Sequence, residues 1–189
     1  TTMLNPQHGP TADVNFRKAL AYAMDYNAFL QIENGAARLL DSPIPTGMVG
    51  HIAVADMPRQ DLAKAREYLA KTQWPKGGVQ LEYAYVAGLE VERQIGLAVL
   101  EAMQKLDITI NVTAVPWPTL VARGLKPDTA PSMIAVYVTP ISTDPDVVPS
   151  QYASPPGGSC WGMHHPNPTE LDTMLSRAPT QPHQGNRTA

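Results

Sequence analysis

Two aspartates flank a proline at Asp144-Pro145-Asp146. The pyrrolidine ring fixes the backbone between them, so both carboxylates offer hydrogen-bond acceptors at set positions. Such a pair suits a cationic or hydroxylated ligand group, and Asp-Pro-Asp is also a common turn and cap. Farther along, Cys160, Met163, His164 and His165 gather side chains that ligate metals. Their order, Cys-Trp-Gly-Met-His-His, matches no zinc spacing, and adjacent histidines point in different directions, so no metal and no other cofactor is expected. Aspartate, histidine and serine or cysteine together permit a hydrolytic site on paper, with Asp144 or Asp146 beside His164. Neither Gly-x-Ser-x-Gly nor His-Glu-x-x-His is present, and no glycine-rich loop cradles a phosphate. Trp117 between two prolines and Trp161 in a glycine-rich stretch are candidate apolar walls for a ligand, or ordinary packing residues.

The element that must position these groups is the run SMIAVYVT at 132–139. It is apolar without a break and reads as a strand covered on both faces, after which Pro140, Pro145 and Pro149 stiffen the loop at its carboxyl end. Upstream, VQLEYAYV sets Val79, Leu81, Tyr83 and Tyr85 against Gln80, Glu82 and Ala84 with a period of two, and ITINVTAV alternates in the same way. Between them Val91, Ile95, Val99, Ala102 and Leu106 recur at helical spacing over 90–106. PWPTLVARG predicts a short helix with Pro118 in its first turn and Gly124 after its end. The order strand–helix–strand–helix–strand predicts an α/β fold, a three-layer lobe with a parallel βαβ core in which 79–86 lies between the other two strands or beside both. Ligands in such sheets collect beyond the carboxyl ends of the strands. That places Tyr137, Thr139, Ile141 and Asp144 along a concavity walled by Trp117 or Trp161, with the prolines holding the loop in shape before a ligand arrives.

The first half of the chain supplies the covering helices. Residues 1–12 are polar and read as a tail. Asp13 caps a helix whose buried stripe is Phe16, Ala19, Leu20 and Ala23, and Asp25 caps a second short helix, YNAFLQI, so the path bends there. Residues 40–58 form a long loop, and Asp56 is the expected cap of a helix at 59–71 with the stripe Leu62, Ala65 and Leu69. Near the end, Asn167-Pro168-Thr169-Glu170 opens a last helix carrying Leu171, Met174, Leu175 and Ala178.

Composition narrows the partners. At 189 residues, the chain suffices for one domain with a real core. A net charge of -3 leaves no basic footprint for nucleic acid. Cys160 is alone, so no intrachain disulfide forms. The chain opens on Thr1 rather than Met and closes on HQGNRTA, where a further helix can start, so it reads as a piece of something longer.

ADVNFRKALAYAMDYNAFL resembles a helix of the family 5 extracellular solute-binding proteins of ABC importers, the peptide-, nickel- and sugar-binding group, through Phe16, Arg17, Ala19, Ala23 and Asp25. DLAKAREYLAK is similar to their Ala-Lys-x-x-Leu-Leu helix through Ala63, Lys64 and Leu69. VPWPTLVARG, STDPDVV and NPTELDTMLSRA resemble three further segments in the same order, so the likeness runs over about residues 5 to 189. The resemblance implies a periplasmic-binding-protein-like class II fold, with residues 13–189 as the second, C-terminal lobe of a two-lobe clamp whose first lobe is missing here. It also implies a non-enzymatic protein, periplasmic or extracytoplasmic, that delivers a small molecule or peptide to permease subunits in the membrane. The acidic loop would face the cleft between lobes. Peptide-binding members place an aspartate four residues before the Asp-Pro proline to hold the ligand's amino group, and that position is Ile141 here. They also tend to have a tryptophan near Val138. Glycines usual after two helices are replaced by Gln73 and Asp107. These departures point away from anchoring of a peptide N-terminus. A hydrolytic domain and a structural docking domain are the rival readings.

Overall fold

A computed structural model describes residues 2–42, 44–48, 50–137 and 173. The chain runs β1 (Thr2–Leu4), a 3-10 turn (Pro10–Ala12), α1 (Val14–Ala23), α2 (Tyr26–Ile32) and α3 (Leu62–Leu69). It continues β2 (Val79–Val86), α4 (Glu90–Gln104), β3 (Ile108–Val115), α5 (Trp117–Gly124) and β4 (Met133–Ala135). These form one sheet in the order β1-β4-β2-β3. β2 pairs parallel with β3, from Val79 opposite Ile108 to Val86 opposite Val115, and parallel with β4 through Tyr83 and Ala84. The alternating strands and the helical period between them thus form the expected parallel core, with 79–86 in its middle.

Alternation along β2 assigns its side chains to two layers. Leu81, Tyr83 and Tyr85 join a core with Phe16, Leu20, Leu69, Val99 and Met103, contributed by α1, α3 and α4. Ala84 faces the other way, with Ile134, Val115 and Leu120, under α5. β4 is buried on both sides, Met133 and Ala135 in one layer and Ile134 in the other, as its unbroken apolar run requires. Arg123 of α5 donates to both carboxylate oxygens of Glu82 on β2, at 2.9 and 2.5 Å, which ties this helix to the sheet.

Four local expectations change. The segment read as a tail supplies β1, antiparallel to β4 with Thr2 opposite Ala135. Buried Asn5 anchors it by donating to the carbonyl of Pro127 at 3.0 Å. Three residues are too few to register a period, and their partner lies far along the chain. The helix expected at 59–71 begins at Leu62, capped by Asp61 rather than Asp56: Asp61 accepts from the Lys64 N–H at 3.0 Å. The C-terminal strand stops at Ala135, short of 139, and Gly124 is the last residue of α5 rather than the one after it. Asp13 and Asp25 do cap α1 and α2, each accepting from two backbone N–H groups. Asp107, where a glycine is usual, adopts a left-handed φ of 56°.

The stripe of α4 is rotated from the expected one. Its buried residues are Glu92, Gly96, Val99, Ala102 and Met103, with Val91 and Ile95 only half-buried. Gly96 explains the rotation, because a Cβ there would lie 2.6 Å from Tyr83 Cε1 and 2.9 Å from Val112 Cγ1. Gly96→Ala gains about 1 kcal/mol of helix propensity but forces a wholly buried ring or the helix to move. A net loss of roughly 1–2 kcal/mol is expected in urea unfolding; an unchanged or stabilised variant would show that α4 does not rest on Tyr83.

Candidate functional site

All three parallel strands end on one edge of the sheet, at Val86, Val115 and Ala135. Just past each end stands a large apolar side chain held in the open: Leu89 (40% exposed), Trp117 (46%) and Tyr137 (59%). Local chemistry fixes each one. Leu89 is the N-cap residue of α4, Trp117 opens α5 behind Pro116, and Tyr137 lies two residues past the end of β4. Because β2 lies between β3 and β4, the strand ends carrying Trp117 and Tyr137 are roughly 10 Å apart, a span suited to a small molecule.

Beneath this apolar rim lies a polar network. Glu92, in the first turn of α4, is 2% exposed, and its Oε2 accepts from the Val86 N–H at 2.9 Å. The phenol of Tyr83, fully buried, donates to the Glu92 carbonyl at 3.1 Å. Oε1 of Glu92 is buried with no hydrogen-bond partner among the described residues. Burial pushes the Glu92 carboxyl above its ordinary value of 4.5, while the backbone N–H groups of Val86 and Tyr137 pull the other way. Burial also raises the Tyr83 phenol, against a hydrogen bond from the Thr2 side chain. Tyr137 is held from two sides, its backbone beside Glu92 and its hydroxyl donating to Glu33 Oε1 at 3.3 Å. The exposed ring is therefore presented by α2, α4 and β4 together.

Of the residues expected from sequence, Trp117 and Tyr137 are on this edge. Thr139, Ile141, Asp144 and Trp161 lie outside the described residues, as do Asp146, Cys160, Met163, His164 and His165. Among the described residues no group of three histidines, cysteines or carboxylates can hold a metal, and no helix is long and apolar enough to cross a membrane. Sequence reasoning missed Leu89, Glu92 and Glu33. The signal for Glu92 was its spacing from Gly96 and Val99, which puts a carboxylate on the buried side of α4.

In α/β sheets ligands gather beyond the carboxyl ends of the parallel strands, which is the edge that carries this apolar rim. The chain belongs to the bacterial extracellular solute-binding proteins, family 5, whose middle-region model matches residues 1–159. This is a family of binding proteins rather than enzymes. No curated protein sequence matches. Among solved structures, the chain is similar to a dipeptide binding protein from Pseudoalteromonas sp. SM9913 in complex with Met-Leu, at 18% identity and a TM-score of 0.86, covering 99% of this chain and 38% of that one. A periplasmic oligopeptide-binding protein from Borrelia burgdorferi gives 17% identity and a TM-score of 0.85, covering 99% and 37%. NikA from Brucella suis, in complex with Fe(III)-EDTA, gives 18% and 0.81, covering 99% and 40%. The chain thus spans about two fifths of the length of these proteins, and the likeness shows the fold they share.

The Glu92 carboxyl has a measurable signature. An acid whose native pKa is raised binds its proton more tightly when folded, so its contribution is fully present below about pH 4.5 and is lost as pH rises through the native value. Compared with Glu92→Gln, the parent should lose stability as the pH rises above the ordinary carboxyl range, read as a changing difference between their urea midpoints. Parallel pH profiles for the two proteins would contradict a buried, ionisable Glu92.

Proposed function

We propose that this chain is the second lobe of a two-lobe clamp that captures a small solute outside the cytoplasm and hands it to the permease subunits of an ABC importer. The observation that carries this reading is the placement of Leu89, Trp117 and Tyr137, all exposed, just past the ends of all three parallel strands, with Tyr137 held by Glu33. An isolated globular lobe gains nothing by holding three large apolar side chains in water on one edge, whereas a cleft closing over a ligand buries them. Relatives of the same fold hold ligands as different as a dipeptide and an iron chelate, so the fold leaves the solute open. In this reading Thr139, Ile141, Asp144 and Trp161 complete the wall. Ile141, where an acidic anchor is expected, makes that part of the wall apolar.

The solute itself can be found by native mass spectrometry of the full-length protein purified from its own cell. With that solute in hand, Trp117→Ala should weaken binding by roughly 1–3 kcal/mol in calorimetry if the indole stacks on it. Ile141→Asp should shift selectivity toward ligands bearing an amine. Parent-like titrations for both variants would move the site off this edge. This chain alone should bind the solute weakly or not at all, because one lobe leaves half the ligand wet; micromolar affinity for it would contradict a clamp.

A further inference from the structure

Next to the edge, α1, α2, β1, α4 and residues 37–39 line an open cavity of about 370 Å³. Its walls are apolar, chiefly Leu4, Leu20, Met24, Phe29, Leu30 and Ile95. The Tyr26 hydroxyl, also on the wall, is already used, donating to the Ala21 carbonyl at 2.9 Å. The cavity adjoins the edge at two points. Thr2, on its lining, pairs with Ala135, the last residue of β4. Glu33, also on its lining, accepts from the Tyr137 hydroxyl. One carboxylate therefore belongs both to the apolar cavity and to the rim.

We propose that the solute carries a compact apolar group joined to a positively charged nitrogen, with the apolar group seated in this cavity and the nitrogen held by Glu33 at its mouth. This rests on the clamp reading and assigns the chemistry of its ligand. A volume near the lower end of small-molecule sites fits one aromatic or branched aliphatic group. The apolar part of the lining offers water no partners, so such a group gains by resting against it. Where the cavity meets the rim, the charged group on its lining is Glu33. Glu33 approaches the Tyr137 hydroxyl from the end of α2 and is only half-buried, so a ligand at the mouth can reach it. The cation on the lining, Arg38, is exposed and interacts with Asp41 of the following loop. A ligand that covers Glu33 removes water from a carboxylate, which is tolerable only if the ligand replaces that water with a cation or strong donor. An anionic or purely apolar solute meets repulsion or an unpaired charge at this point.

The probes are 2-phenylethylamine and 2-phenylethanol, equal in size and different in charge, titrated into the full-length protein by ligand-observed NMR. The amine should bind at least about tenfold more tightly than the alcohol, the factor a charge-assisted hydrogen bond supplies. Glu33→Gln, at a half-buried position, should erase that preference and leave the alcohol unchanged. Ala37→Trp, at an exposed residue on the cavity rim, should block both probes without entering the core. Equal binding of the two probes, no binding of either, or binding untouched by both substitutions would overturn the proposal. If the co-purified solute responds to Trp117→Ala but lacks a cationic nitrogen, the ligand chemistry falls and the clamp stands. If Ala37→Trp abolishes probe binding while Trp117→Ala leaves the native solute unaffected, the cavity stands and the edge does not.

Discussion

The contact between Gly96 and the ring of Tyr83 sets how closely α4 approaches the sheet, and most of the edge depends on it. With no side chain at 96, the first turn of α4 comes near enough for Glu92 to reach back to Val86 at the end of β2. The same approach lets the Tyr83 phenol, otherwise an unsatisfied buried donor, bond to the carbonyl of Glu92. Tyr137 then settles against Glu92 on one side and Glu33 on the other. A glycine in the middle of a helix costs stability by itself. Here it is what brings a buried carboxylate beneath the ends of two strands.

Burial of that carboxylate is in tension with stability. Oε1 of Glu92 has no partner among the described residues, and an apolar residue of similar shape would spare the desolvation. The residue nonetheless joins three elements at this end of the sheet: β2 through Val86, α4 through its own backbone, and the segment after β4 through Tyr137. Polar networks of this kind trade stability for a defined geometry. A binding edge uses such geometry, because exposed rings held in place before a ligand arrives lower the ordering cost of binding.

Much of the fold was legible because its signals are periodic and local. Alternation marked β2 and β3, the helical repeat marked α1 and α4, and aspartates marked the caps of α1 and α2. β1 was not legible, since three residues show no period and their pairing with β4 spans the whole described body. The start of α3 slipped because Asp56 and Asp61 both offer a cap, and the contact that decides between them is tertiary: the Asp61 N–H donates to the Tyr22 carbonyl at 2.8 Å. At the edge, Trp117 and Tyr137 could be anticipated from the rule that ligands gather at strand ends. Glu92 left only the faint signal of its spacing from Gly96 and Val99, since a glutamate in the first turn of a helix usually points to water, and Glu33, at the C-cap of α2, left none because its partner Tyr137 lies far along the chain.

The most direct test of the central claim is a crystal structure of the full-length protein with the solute it carries from its own cell. A binding edge at the strand ends predicts solute atoms within about 4 Å of both Trp117 and Tyr137, enclosed by a second lobe. A solute seated elsewhere, with those two rings still open to solvent, would contradict it.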